Sequence, residues 1–134
     1  MPINSSRRSA GDSAAACDLE GVISNGVTWV EDLNITEDGT AVAGTPTVWT
    51  WTITLKEDYD SSPIFSISTS DYIDVTQGTD STVLSVGVPK SLLTNLKGDY
   101  LMDIKSIDGS DLSIDPEGRS RHWAHGPITV RNEP

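Results

Sequence analysis

The chain has 134 residues, and its nine basic and twenty acidic side chains leave a net charge of -11, the opposite of the cationic footprint that a phosphate backbone requires, so nucleic acid is not expected as a partner. No window approaches about eighteen apolar residues, and the arginines near the N-terminus have no apolar stretch behind them, so neither a membrane span nor a secretory signal is expected. Cys17 is the single cysteine, without Cys or His at ligand spacing beside it, which excludes an internal disulfide and argues against a metal centre there.

In chain order, residues 1–16 are small and polar and hold too little apolar area to offset their ordering entropy, which predicts an extended arm ahead of one domain at 17–134. From Cys17 onward, short apolar runs alternate with turn residues about every ten positions, the pattern of an all-β sandwich or barrel. A strand is predicted around 28–36, ended by Asp38-Gly39. The next is the cleanest: in "TVWTWTITLKED" (47–58), Trp49, Trp51, Ile53 and Leu55 share one face and Thr50, Thr52, Thr54 and Lys56 the other, which marks Trp49 and Trp51 as core. Shorter strands are predicted at 64–69 and 71–78, and 81–89 places Leu84, Val86 and Val88 together before Pro89 stops it. "KSLLTNLKG" (90–98) reads as one helical turn, capped by Ser91, with Leu92, Leu93 and Leu96 facing inward and Gly98 in a left-handed position at its end. Tyr100, Met102 and Ile104 then alternate in a strand to Ile107, a polar loop follows, and "HWAHGPITVRN" forms a last strand that Gly126-Pro127 should bend or bulge.

The run "NLKGDYLMDIKSIDG" (95–109) carries the topology. A helical turn after one strand, then Gly98-Asp99-Tyr100 opening the next, is how immunoglobulin-like sandwiches pass between sheets, with a tyrosine hydroxyl bonded back to the corner's backbone. Tyr100 is the candidate corner, and Met102 stands where antibody domains place a cysteine.

Residues from about 26 to 131 resemble a group of small virion proteins of tailed bacteriophages, similar to the N-terminal domain of the phage baseplate upper protein. The matching pattern here is "GVTWVEDLNITEDGT", then "VWTWTITLKED", then "IDVTQGTDSTVLSVGVPKSLLTNLKGDYLMDI", and finally "GPITV". Such proteins show a Gly-x-Tyr-x-(Tyr or Met)-Asp-Ile run after a leucine turn and a Gly-x-Ile-x-Val terminal strand. The resemblance implies an Ig-like antiparallel β-sandwich in a virion, contacting other virion proteins and copies of itself, with no catalytic residues and no cofactor. The arm before residue 17 and the "RSRHWAH" segment depart from the pattern, so the family's docking surface does not carry over.

Candidate site residues are few. His122 and His125 lie three apart, which in a regular strand points them to opposite faces and disfavours a shared metal ion. The Asp- and Glu-dense loops lack the ligand order of a calcium loop and read as solvated turns. No motif sets a nucleophile beside a base, so no enzyme is expected. Trp123 stands in the polar stretch "RSRHWAH", the composition of an interface anchor, so the predicted contact surface comprises Arg119, Arg121, His122, Trp123 and His125 with Arg7 and Arg8 of the arm. The function expected is structural, as a tail, baseplate, fibre-attachment or head-decoration protein. The alternative is a carbohydrate-binding module that recognises a host-surface glycan through its tryptophans.

Overall fold

Alternation of apolar and polar residues sets the strands. The computed structural model describes residues 4–5, 17–37, 39–58, 60–110 and 118–132. In chain order the strands are β1 (Asn4–Ser5), β2 (Cys17–Ser24), β3 (Trp29–Ile35), β4 (Thr50–Lys56), β5 (Phe65–Ser68), β6 (Ile73–Gln77), β7 (Thr82–Val88), β8 (Gly98–Asp108) and β9 (Arg119–Arg131). Two sheets result, a larger one in the order β1-β2-β9-β8-β4-β5 and a smaller one in the order β3-β7-β6. Every pair is antiparallel except β2 with β9, which run parallel. The all-β sandwich expected from the pattern is the architecture observed. Among the described residues, no helix is long and apolar enough to cross a membrane.

The core lies between the sheets. In β4, Trp51, Ile53 and Leu55 are fully buried while the threonines between them turn outward. Leu84, Val86 and Val88 of β7 and Leu33 and Ile35 of β3 supply the opposing layer, each such side chain contributing about 1.5–3 kcal/mol of transfer free energy. Thr82, the polar residue in that layer, is satisfied: its hydroxyl accepts from the Val42 N–H at 3.1 Å and donates to Gln77 Oε1 at 2.8 Å.

The crossing between sheets is a 3-10 turn at Lys90–Leu92, shorter than the helical turn expected, and its N-cap is Pro89 rather than Ser91. Three residues per turn put Leu93 and Leu96 on one side. Leu93 is buried and Leu96 packs on the core, whereas Leu92, expected to face inward, is exposed. Gly98 has φ 111°, which side chains rarely adopt, so the glycine is required there. The Tyr100 hydroxyl accepts from the Lys97 N–H at 3.1 Å and donates to the Lys97 carbonyl at 3.2 Å, closing the corner three residues upstream while the ring packs on the core.

Of the predicted arm, Asn4 and Ser5 pair with Glu20 and Leu19 at the border of the larger sheet. The rest, including Arg7 and Arg8, lies outside the described residues.

One irregularity positions the candidate site. Gly126 and Pro127, expected to bulge, pair regularly with Met102 and Leu101. The register of β8 on β9 instead shifts between Ile104, opposite Ala124, and Lys105, opposite His122, so Trp123 is the extra residue. What Gly126-Pro127 does interrupt is the other side of the strand. There β2 pairs through Asp18 with His125 and resumes only at Gly21 with Ile128, since Pro127 has no N–H to give.

Candidate functional site

An inserted residue reverses the in-out parity of everything after it. Before the bulge, Arg121 and Trp123 turn toward the core; after it, Ala124, Gly126, Ile128 and Val130 do. His122 and His125 therefore share the outer face of the larger sheet. This corrects the expectation of opposite faces, which assumed an unbroken period of two.

On the inner side, Trp123 is 1% exposed. Its ring meets Trp51 at a centroid distance of 5.6 Å, and Trp51 meets Trp49 at 6.1 Å. Trp123 Nε1 donates to the buried Ser106 Oγ at 2.8 Å, and Trp51 Nε1 to the Pro46 carbonyl at 2.8 Å. Trp123 is thus a core residue and not the interface anchor predicted. The polar residues around it mislead because the bulge sends them outward and because one of them is paired inside. Arg121 lies 4.0 Å over the Trp123 ring, and its Nη2 donates to Glu37 Oε2 at 2.7 Å. At 11% side-chain exposure Arg121 is committed to this internal pair, which removes it from the predicted contact surface as well. Arg119, at the start of β9, is exposed. Residues 119–121, expected to close the polar loop, already belong to the last strand, while 111–117 lies outside the described residues.

On the outer side, Lys56 from β4, Leu101, Met102 and Asp103 from β8, and His122 and His125 from β9 line a hollow of about 180 Å³. His122 Nε2 lies 3.3 Å from Asp103 Oδ2, within ion-pair range but off the line of a good hydrogen bond. Lys105 Nζ stands 3.9 Å from the same carboxylate oxygen. Burial holds the His122 pKa below the usual histidine value of 6.5. Asp103 opposes that shift, and the charges of Lys105 and His125 reinforce it. His122 is accordingly neutral at pH 7 and charges as the solution is acidified. Among the described residues no group of three or more His, Cys, Asp or Glu side chains is placed to hold a metal ion. The hollow sets Lys56 and the two histidines around one carboxylate, over an apolar floor.

Sequence reasoning found the two histidines but not Lys56, Leu101 or Asp103. Their outward positions on β4 and β8 are legible from alternation; that they flank the histidines follows only from the β4-β8-β9 order. No protein-family model matches the chain, and no curated protein matches it.

Proposed function

We propose that the chain is a non-enzymatic structural component of a tailed-phage virion, in the tail, baseplate, fibre attachment or head decoration, working through contacts with other virion proteins and copies of itself. The observation that carries this reading is the crossing from β7 to β8, where the 3-10 turn, Gly98 at positive φ and the Tyr100 hydroxyl on Lys97 form one unit out of the residues that carry the resemblance to phage virion proteins. Strand order supports the Ig-like form of that family: β3-β7-β6 facing β9-β8-β4-β5 corresponds to strands B-E-D facing G-F-C-C′ of a variable-type immunoglobulin sandwich. Strands at sheet borders, here β3 and β6 of the small sheet and β5 of the large one, are where another chain can add by strand pairing.

The carbohydrate-binding alternative draws on an aromatic platform. All four tryptophans are 7% exposed or less, so they offer no open ring face for a sugar. Mass spectrometry of particles purified from cells expressing the gene in its native context tests the proposal. The expected result is the chain at a fixed copy number per particle. A chain abundant in the lysate but absent from the particles would sink it.

A further inference from the structure

Among the described buried polar residues, Asn25 joins the most distant parts of the chain. It stands in the turn between β2 and β3, 9% exposed. Its backbone N–H donates to the Arg131 carbonyl at the end of β9 at 2.8 Å. Its Nδ2 donates to the Leu96 carbonyl, in the crossing from β7 to β8, at 2.7 Å and to Asn132 Oδ1 at 3.1 Å. A backbone carbonyl can only accept, so the amide nitrogen and not the oxygen must face Leu96. Leu96 precedes Lys97, on which the Tyr100 hydroxyl closes the corner. Gly26 follows Asn25, whereas the asparagines at 4, 34, 95 and 132 are followed by Ser5, Ile35, Leu96 and Glu133. A glycine has no Cβ to keep its backbone nitrogen away from the side-chain amide of the residue before it.

We infer that Asn25 is a covalent modification site that the fold holds closed, a clasp at this end of the sandwich that opens irreversibly when its side-chain amide is lost. In the step, the Gly26 nitrogen gives up its proton and bonds to Asn25 Cγ, while the Cγ–Nδ2 bond breaks and ammonia leaves. Water then opens the cyclic imide at either carbonyl, leaving aspartate, or isoaspartate with the main chain rerouted through Cγ. The net change consumes water and releases ammonia, with no redox partner. Ring closure requires the side chain to swing away from Leu96 and Asn132 onto its own backbone. It also requires the Gly26 N–H to leave Ser24 Oγ, to which it donates at 3.2 Å. The closed clasp therefore slows the reaction that would destroy it, and conversion proceeds through local opening of this end. The carboxylate that results has no proton to give to the Leu96 carbonyl, in a site from which most water is excluded. The turn, the end of β9 and the Tyr100 corner then lose their common tie. None of this depends on the virion reading.

Peptide mapping by mass spectrometry of the full chain, kept in mildly alkaline buffer with and without denaturing urea, reads the site directly. In urea, Asn25 should convert ahead of the other asparagines, and Gly26→Ala should slow it severalfold where the fold plays no part. In the folded chain the same conversion should be at least about tenfold slower, because the bonds from Asn25 and Gly26 must open first. Ser24→Ala, which releases the Gly26 N–H, should restore part of that rate in a chain whose melting curve still shows it folded. Asn25→Asp carries the product from the start, and hydrogen exchange at the backbone N–H of Lys97 and of position 25 should quicken in it. Equal conversion in the folded and unfolded chain, or another asparagine converting first in urea, overturns the modification site. Unchanged exchange at those two positions in the Asn25→Asp chain overturns the clasp.

Discussion

On its inner side the β8–β9 ribbon holds Trp123 tilted against Trp51 beneath Arg121; on its outer side His122 of the same strand lies against Asp103, and both line a hollow with His125. Both sides are made from the seven residues "RSRHWAH", which by composition look uniformly polar. The difference lies in what each side chain can exchange water for. Trp123 trades it for two aromatic and guanidinium contacts and a hydrogen bond to Ser106, and Arg121 for the Glu37 carboxylate, so these two are interior despite their neighbours. His122 keeps part of its hydration, and partial burial lowers its pKa against the opposing pull of Asp103. A stretch that reads as one surface is two environments, divided by a single inserted residue.

Trp123→Ala should cost about 3–5 kcal/mol in urea denaturation, as for other aromatic truncations in cores. A loss under about 1 kcal/mol, in the range of surface substitutions, would return Trp123 to the surface and undo the account of the bulge.

Ser106→Ala probes the same side more gently, since it leaves the Trp123 indole N–H buried without its acceptor. About 1–3 kcal/mol of stability should disappear, and thermal melts followed by tryptophan fluorescence would register both the loss and the disturbed stack. No change in either would mean that the indole finds another acceptor.

At the half-buried rim, Tyr100→Phe removes the hydrogen bonds to Lys97 while keeping the ring. Because that end of the residue is solvent-exposed, the cost should fall toward the lower end of about 0.5–1.5 kcal/mol. A neutral result in chemical denaturation would show that the ring alone holds the corner.

The smallest effect belongs to the outer side and is one of slope rather than size. The folded-state pKa of His122 is lowered, so the unfolded chain binds the proton more readily. The contribution of this residue is complete above the unfolded value near 6.5 and is lost as pH falls through it toward the lower folded value. His122→Gln should leave stability at about pH 8 nearly unchanged and flatten its decline toward about pH 5. A steeper decline in the variant would mean that Asp103, rather than burial, dominates the environment of His122.

Much of this was legible in the residues themselves. The buried face of β4, the face shared by Leu84, Val86 and Val88, the glycine at position 98 and the tyrosine closing on Lys97 follow from backbone periodicity and from contacts a few residues apart, which any stretch of chain carries with it. The sandwich was equally plain, because alternating faces on successive strands leave few other ways to bury them. Only the tertiary structure decided where the period breaks. The extra residue fell at Trp123 and not at Gly126-Pro127, because a bulge is a property of two paired strands, and the register of β9 on β8 and β2 is absent from β9 alone. The same holds for Arg121 and Glu37, 84 residues apart in the chain, and for the outer-face hollow, where Lys56, Asp103, His122 and His125 become neighbours through the β4-β8-β9 order. Periodicity states which way a side chain points while the period lasts; which side chains it then meets is set by strand pairing, a non-local choice made by the packing of the whole core.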